Sequence, residues 1–190
     1  MTYSTEVKGP PYCTIVADPP WPEYGGGKIK RGADKHYPLM SIAEIVALGS
    51  IVRAWRSEEG GHLSLWVTNN YLPAGLEAMK AWGFEYKTCI TWAKVTELGK
   101  PTMGLGQYFR GASEHCLFGV YGRLPYRMTL DYEPKRAQGR TLILAPRTEH
   151  SRKPNALIDM AELVSHPPRL EMFAREHRLG WDVWNPTIGQ

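Results

Sequence analysis

The stretch Ile15-Val16-Ala17-Asp18-Pro19-Pro20-Trp21 decides the fold of this chain. Its apolar half predicts a buried strand. The first proline ends that strand, because proline cannot donate to a sheet ladder and restricts the residue before it. Asp18 is therefore expected at the carboxyl end of a strand, with Trp21 displayed just beyond it. In an open α/β sheet ligands bind at that edge, whereas an isolated Asp-Pro is otherwise typical of an ordinary turn.

Composition bounds the class of protein. The chain has 190 residues, which suits one full-sized domain. Hydrophobic residues make up 43% and charged residues 22%, so the composition is that of a globular protein and not of a disordered one. The net charge of +4 is compatible with a nucleic-acid partner without requiring one. The 7 Trp and 10 Tyr suit a base-binding pocket, and a Trp-rich core would use them equally well.

Three cysteines indicate the compartment. Cys13, Cys89 and Cys116 are far apart, odd in number and lack metal-ligand spacing, so reduced thiols in a cytoplasmic protein are predicted. Residues 1–11 are polar and do not resemble a signal peptide. No apolar run is long enough to span a bilayer, so no membrane association is expected.

Strands and helices alternate along the chain. The pattern predicts strands over 13–17, 63–68 and 84–92, a helix opened by the capping box Ser41-Ile42-Ala43-Glu44, and a helix over 72–82 that ends at Gly83. This order predicts crossover units and an α/β fold with a mostly parallel sheet. A strand over 114–120 could pair antiparallel with the one before it. The remaining predicted elements are strands over 141–144, 170–174 and 181–184 and a helix over 154–164.

Two basic loops interrupt this pattern. The segment 22–35 contains three consecutive glycines and should be a lid over the site or a solvated linker. It is not a P-loop, because the required spacing is missing. A second loop spans 94–112, and an irregular excursion is expected over 123–140. The basic residues of the two loops that we assign to substrate binding are Lys28, Lys30, Arg31 and Arg110.

The stretch Asp18-Pro19-Pro20-Trp21 resembles the signature of S-adenosylmethionine-dependent N6-adenine methyltransferases, the family of the catalytic subunit of the eukaryotic messenger-RNA adenine methyltransferase. That family also has compact bacterial and phage members, and this chain resembles those. The resemblance covers most of the chain, since further blocks match in the same order. They are residues 36–41, 65–69, 81–84 with 91–94, 104–110 with 114–117, 150–154, and 170–175.

The resemblance implies a Rossmann-like class I methyltransferase fold in circularly permuted order, with the catalytic strand first and the cofactor-binding strand last. A single methyltransferase domain would then cover residues 1–190. Its catalytic and substrate half would be 1–120, and its cofactor-binding half 141–190. The permuted order accounts for the lack of a glycine-rich fingerprint near the N-terminus.

The chemistry of methyl transfer explains the signature. The amino group of adenine is conjugated and a poor nucleophile, and acceptors for its N–H groups keep electron density on nitrogen. Asp18 supplies a carboxylate and Pro19 a carbonyl, and the two prolines preorganise both. Trp21 offers a face to the base, and such stacking is worth about 1–3 kcal/mol. The predicted catalytic residues are therefore Asp18, Pro19, Pro20 and Trp21.

Other site residues follow from the resemblance. Tyr37 and Glu114 should line the adenine pocket, with Trp66 and Asn69 near it. Half-buried packing for Tyr37, a solvated strand start for Glu114 and a solvated lysine for Lys153 stay open. The cofactor is S-adenosylmethionine, and no metal-ligand cluster is expected. Its binding residues should be Asp18, Ser151, Lys153, Phe173, Arg175, His177 and Asn185.

The sequence thus favours methylation of the N6 amine of adenine in nucleic acid. DNA is favoured over RNA because the form is compact and extension-free. A catalytically silent, nucleic-acid-binding partner subunit of the same fold is the alternative, and a cytosine or protein amide is a third acceptor to consider. Target choice would come from the basic loops, from a homodimer or from a second subunit. A base inside a duplex would have to be flipped out, which favours opened targets.

Overall fold

The computed structural model describes residues 11–22, 39–104, 106, 108–147, 152–174 and 176–186, and all structural statements concern these. Seven strands and four α-helices lie within them. In chain order they are β1 (Thr14–Ala17), α1 (Ile42–Ala47), α2 (Gly49–Trp55), β2 (Gly60–Val67), α3 (Leu72–Ala81), β3 (Glu85–Val95), β4 (Ser113–Gly122), β5 (Leu142–Pro146), α4 (Ala156–Val164), β6 (Arg169–Met172) and β7 (Asp182–Trp184).

The strands form one mixed sheet in the order β5-β3-β4-β2-β1-β6-β7. Strand β4 is antiparallel to both of its neighbours, and the other pairs are parallel. The predicted α/β, Rossmann-like sheet and the antiparallel β3–β4 pair are both confirmed. Strand β1 lies at the centre, where Ala17 is in register with Leu65 of β2 and Met172 of β6. The first strand of the chain is thus paired with a strand of its last quarter, as the permuted order implies.

Each face of the sheet carries its own core. Alternation along β2 sends Leu63, Leu65 and Val67 to the side of α1 and α3, and Trp66 to the side of α4. The first core is completed by Ile45, Val52, Ala78 and Trp82, among others. The second contains Val16, Trp92, Leu157 and Trp181. Because both faces of the sheet are covered, polar groups gather at the two ends of the strands, here called the amino edge and the carboxyl edge of the sheet.

Helix boundaries follow their sequence signals closely. Ser41 and Glu44 form the predicted capping box, with the Glu44 backbone amide donating to Ser41 Oγ at 3.2 Å. Gly83 has φ +82 after α3, and Phe84 N donates to Met79 O, so α3 ends in a Schellman motif. The single helix expected after Ser41 is wrong, because two helices meet at Leu48. Gly49 explains the break, since a Cβ there would lie 2.6 Å from the Ala81 carbonyl of α3.

None of the helices in the described ranges combines the length and the apolar character that crossing a bilayer would demand.

Candidate active site

The turn after β1 holds Asp18 at the carboxyl edge of the sheet. Asp18 N still donates to Met172 O at 3.4 Å, so the chain stays beside β6 one residue past the strand. Trp21 N then donates to Pro19 O at 2.8 Å, and Met40 N donates to Pro20 O at 2.9 Å. Both prolines are buried. The turn is therefore rigid as predicted, and the Pro19 carbonyl keeps a second lone pair for another donor.

Trp21 is buried, with 5% of its surface exposed, so the expectation of a displayed ring is wrong. Its Nε1 donates to the Trp66 carbonyl at 2.8 Å. Its ring stacks against Tyr71, with 5.9 Å between centroids and 15° between planes. An indole whose N–H group is satisfied is favourably buried. Trp21 thus anchors the turn that carries Asp18, and its stacking on an adenine stays a prediction.

Four charged side chains form a row beside this turn. Lys153 Nζ lies 2.9 Å from Asp18 Oδ2 and 3.3 Å from Glu114 Oε2. Glu114 Oε1 lies in turn 2.5 Å from Lys94 Nζ. The lysine Nζ atoms also lie near indole rings, Lys153 at 5.7 Å from the centroid of Trp66. Two carboxylates and two ammonium groups balance each other, so the row Asp18–Lys153–Glu114–Lys94 carries no net charge.

The row fixes the ionisation of its members. Burial alone would lower the pKa of Lys153, but the carboxylates of Asp18 and Glu114 outweigh it and raise that pKa well above the ordinary value. Burial alone would raise the pKa of Glu114, but Lys153 and Lys94 outweigh it and hold that pKa below its usual range. At neutral pH Lys153 is therefore an ammonium and Glu114 a carboxylate. Such a row can accept and orient hydrogen-bond donors without exchanging protons itself.

A pocket of about 660 Å³ opens beside the row. Asp18, Trp66 and Lys153 line it. Further lining side chains come from the segment before α4, from α4, from β6 and from the segment after β6: Arg152, Asn155, Leu157, Glu171, Phe173, Glu176 and Arg178. Its size is ordinary for a small-molecule site. Because β1 and β6 are adjacent parallel strands, the pocket lies at the edge where such sheets bind ligands.

Glu171 is an acidic lining residue of this pocket. Its Oε2 is buried and has no hydrogen-bond partner among the described residues, and Arg178 Nε is 3.9 Å away. Burial raises the pKa of Glu171, and the charge of Arg178 only partly opposes this. Carboxylates suit ribose hydroxyls and a sulfonium charge, and lysine suits a ligand carboxylate. The donor set of the pocket therefore fits S-adenosylmethionine.

Phe173 shapes the pocket through its backbone. It is the one non-glycine residue with positive φ in the described part of the chain, at φ 65, directly after β6. Phe173 N donates to Trp184 O at 2.6 Å, and Asn185 Nδ2 donates to Ala174 O at 3.0 Å. Sparsely populated backbone conformations of this kind cluster at functional sites. Here the turn directs Phe173 into the pocket and brings Asn185 next to its wall.

Comparison with known proteins adds an independent finding. A family model described as MT-A70 matches residues 12–187. The chain belongs to the MT-A70 family. The family resemblance read from the sequence is thereby confirmed.

Three relatives illustrate the reach of the MT-A70 family. The N6-methyladenosine RNA methyltransferase MTA1 of Cryphonectria parasitica is 33% identical, over 95% of this chain and 53% of the fungal protein. The type II methyltransferase M.MunI of a Mycoplasma species is 29% identical, over 93% and 78%. The N(6)-adenosine-methyltransferase catalytic subunit METTL3 of Homo sapiens is 28% identical, over 88% and 26%. The chain thus spans about half of the fungal relative and a quarter of the human one.

The residues predicted from the MT-A70 resemblance divide into three groups. Asp18, Trp66, Lys153 and Phe173 line the pocket, and Glu114 joins it through Lys153. Asn69, His177 and Arg110 are exposed and do not line it. Asn69 Oδ1 instead lies 2.5 Å from His115 Nε2, and Arg110 Nε donates to Gly104 O at 2.8 Å. The predicted residues that lie outside the described ranges are Lys28, Lys30, Arg31, Tyr37, Ser151 and Arg175.

Two residues of this MT-A70 site were missed from the sequence. Lys94 was assigned only to the start of a basic loop, yet its ammonium completes the charged row at Glu114. Glu171 lies in the matched block 170–175, but no role was predicted for it, and its side chain lines the pocket. An acid among apolar residues on a strand beside the catalytic strand was the available signal for Glu171. Within the described ranges, no three His, Cys, Asp or Glu side chains gather as metal ligands would.

Proposed function

We propose that this chain transfers a methyl group from S-adenosylmethionine to the exocyclic N6 amine of adenine in nucleic acid. The observation that carries the proposal is the Asp18 carboxylate at the pocket edge, 2.9 Å from Lys153 Nζ. A proline-stiffened turn holds it beside the rigid carbonyl of Pro19. Similarity to MTA1, an N6-methyladenosine RNA methyltransferase, and to METTL3, an N(6)-adenosine-methyltransferase catalytic subunit, supports adenine N6 as the acceptor.

Asp18 and the Pro19 carbonyl would orient the substrate amine in this reaction. S-adenosylmethionine, when bound, supplies an electrophilic methyl carbon on a sulfonium. Asp18 and the Pro19 carbonyl would accept the two N–H groups of the adenine amine and direct its lone pair toward that carbon. In that transfer the amine nitrogen would gain the methyl carbon as S-adenosylhomocysteine leaves, and its surplus proton would then pass to water. Because Asp18 shares its charge with Lys153, it would act as an acceptor of hydrogen bonds and not as a strong base.

The charged row would contact both the adenine and the cofactor. Asp18 and Glu114 stand on either side of Lys153, so an adenine amine near Asp18 would have its ring edge within reach of Glu114. A buried, ionised Glu114 can accept a further hydrogen bond without a change of protonation. A carboxylate on the methionine end of the cofactor would compete with Asp18 for Lys153. Binding of the cofactor would therefore loosen Asp18 from Lys153 as the substrate amine arrives.

The substrate class can be tested directly. Purified protein is incubated with methyl-labelled S-adenosylmethionine and, in parallel, with single- and double-stranded DNA and RNA of one sequence. Nucleosides are then identified by mass spectrometry. We expect labelled N6-methyladenine with DNA preferred and single strands exceeding duplexes. Among the three relatives compared, the chain covers the largest share, 78%, of M.MunI, whose name describes a type II methyltransferase and not an RNA methyltransferase. Higher activity on RNA would reverse that preference and leave the reaction itself intact.

A silent partner subunit is the alternative, because the non-catalytic subunit MTB of Arabidopsis thaliana is also 30% identical over 63% of this chain. The two functions differ in cofactor binding. Calorimetric titration with S-adenosylhomocysteine should give heat and a stoichiometry of one if the chain is an enzyme. The absence of binding heat, together with retained binding of nucleic acid, would favour the silent subunit.

A further inference from the structure

Between β3 and β4 the chain forms a loop at the carboxyl edge of the sheet, of which residues 96–104, 106 and 108–112 are described. Its base is held where Lys94 N donates to Ala112 O and Thr102 N donates to Lys94 O, both at 2.8 Å. Farther out, Gly104 N donates to Gly111 O at 2.7 Å. A Cβ at Gly104 would lie 2.6 Å from the Gly111 carbonyl, so this closure requires glycine. The loop therefore presents its outer residues from a pinned frame.

Two adjacent aromatic side chains project from this frame. Tyr108 is 93% exposed and Phe109 is 92% exposed. Leu98 and Met103 of the same loop are exposed as well. Large apolar side chains that are clustered on a protein surface usually indicate an interaction site. Arg110 Nε donates to Gly104 O at 2.8 Å, which fixes the backbone next to the two rings.

Charge and position indicate what covers the rings. The loop carries Lys100 and Arg110 against Glu97 alone, so it is net cationic. It leads directly into Glu114, the carboxylate that Lys153 joins to Asp18. A polyanion entering the pocket from this edge would run past Tyr108 and Phe109. Aromatic rings beside cationic side chains are the usual platform for single-stranded nucleic acid.

We propose that Tyr108 and Phe109 stack on the bases that flank the target adenine and so hold the strand at the pocket. This inference rests on the proposed function, because it takes nucleic acid as the substrate. A ring pair on a closed loop loses little conformational freedom on binding, which favours stacking. Since every base has a π-face, the platform would grip the strand without dictating its sequence.

The test separates stacking from charge. The double variant Tyr108→Ala/Phe109→Ala is compared with wild type on two oligonucleotides of whichever polymer the wild type methylates. One carries bases beside the target adenine, and the other carries abasic residues there, which keep the phosphates. We expect kcat/KM on the first oligonucleotide to fall about five- to 100-fold in the variant, mainly through KM. The kcat/KM of wild type should fall by a similar factor when the abasic oligonucleotide replaces the first one. The kcat/KM of the variant should fall little further on the abasic oligonucleotide.

Tyr132 supplies the matched control. It is equally exposed, but it lies between β4 and β5, and β4 ends beside the amino end of β2. Tyr132→Ala should behave as wild type on both oligonucleotides. The inference is overturned if the double variant keeps the wild-type KM. It is also overturned if the double variant on the abasic oligonucleotide shows a fall in kcat/KM equal to the product of the two separate falls. It is also overturned if the double variant changes the elution volume, since a second copy would then cover the rings. Failure of the wild type to methylate any polymer would instead refute the proposed function.

Discussion

The two edges of the sheet use polar groups in opposite ways. At the amino edge, polar side chains bind the last turn of α4 and the segment that follows it. Thr14 Oγ1 donates to His166 O at 2.7 Å, His62 Nδ1 lies 2.6 Å from Ser165 Oγ, and Arg127 donates to Glu162 O. Each contact ties one element to another, and none of these residues lines the pocket. The amino edge thus serves stability.

At the carboxyl edge, charged side chains bind one another. Asp18 and Lys153 are 135 residues apart in the chain and meet at 2.9 Å. Glu171 keeps a buried oxygen without a hydrogen-bond partner among the described residues. These groups are held in place yet retain capacity for a ligand. Polar side chains that hydrogen-bond to other elements of the fold therefore serve stability. Charged side chains that line the pocket are the ones available to bind a ligand.

The largest effect should come from Asp18→Asn. The substitution keeps the shape of the side chain but replaces part of the acceptor capacity with an N–H donor facing the substrate amine. Removal of one preorganised electrostatic contact of this kind costs about 100- to 1,000-fold in kcat. We expect at least that loss, with thermal unfolding little changed. Asp182→Asn is the control, because Asp182 accepts from Tyr12 Oη at the start of β7 and should leave kcat alone. A fully active Asp18→Asn enzyme would remove Asp18 from the mechanism.

The next largest effect should come from Lys153→Met. Loss of the ammonium leaves the carboxylates of Asp18 and Glu114 close together without their shared cation, and it removes the group assigned to the cofactor carboxylate. We expect cofactor affinity to fall about tenfold or more, since charge-assisted hydrogen bonds are worth roughly 1.5–3 kcal/mol. Calorimetry with S-adenosylhomocysteine measures this, and Lys153→Arg should recover part of it. Unchanged affinity in Lys153→Met would place the cofactor carboxylate elsewhere.

Glu171→Gln should weaken the cofactor without weakening the fold. Gln keeps one acceptor oxygen but loses the charge, so affinity should fall about three- to tenfold. Burial raises the pKa of Glu171, so its charged form costs stability at neutral pH. The melting temperature of Glu171→Gln should therefore equal or exceed that of wild type. A clear fall in melting temperature with unchanged affinity would show that Glu171 is structural.

Glu114→Gln tests the charged row through pH. The folded-state pKa of Glu114 lies below its ordinary value of 4.5, because Lys153 and Lys94 outweigh the effect of burial. Its stabilising contribution is therefore present above that value and is lost as the pH falls through the folded-state pKa. Wild type should melt higher than Glu114→Gln at pH 7, and the gap should narrow as the pH falls below 4.5. A gap that is constant across this range would mean that the charge of Glu114 contributes nothing.

The smallest effect on activity should come from the amino edge. Ser165→Ala leaves His62 Nδ1 without its partner in a buried position, which costs about 1–2 kcal/mol of unfolding free energy. Activity at 25 °C should stay at the wild-type level, because the residue lies at the far end of the strands. Chemical denaturation and steady-state rates measured on the same sample decide this. A loss of activity larger than the loss of folded protein would break the contrast between the edges.

The turn that carries Asp18 and the helix ends were predictable from the sequence, whereas the polar contacts at the amino edge were not. The run into Asp18-Pro19-Pro20 predicted a strand-ending turn at a ligand-binding edge, since β-branched residues, an acid and two prolines each have local consequences. The capping box at Ser41 and Gly83 after α3 were likewise predicted by local rules. Local signals of this kind survive folding because neighbouring residues alone generate them.

Long-range pairing was not predictable in the same way. The residues that flank Lys94 in the sequence do not indicate that its ammonium contacts Glu114, because the contact depends on the register of β3 against β4. The burial of Trp21 depends on Tyr71 and on the Trp66 carbonyl, which lie some 50 residues away. The break between α1 and α2 depends on how closely Gly49 approaches α3. In each case tertiary packing, not local preference, decided the outcome.

In the proposed reaction, Asp18 presents an adenine amine to the methyl donor. The most direct test is to incubate the protein with trideuteromethyl-labelled S-adenosylmethionine and a single-stranded oligonucleotide containing all four bases, and to identify the labelled nucleoside by mass spectrometry. We expect label on N6 of adenine in wild type and almost none in Asp18→Asn. Label on the N4 amine of cytosine, or equal labelling of adenine by both proteins, would contradict it.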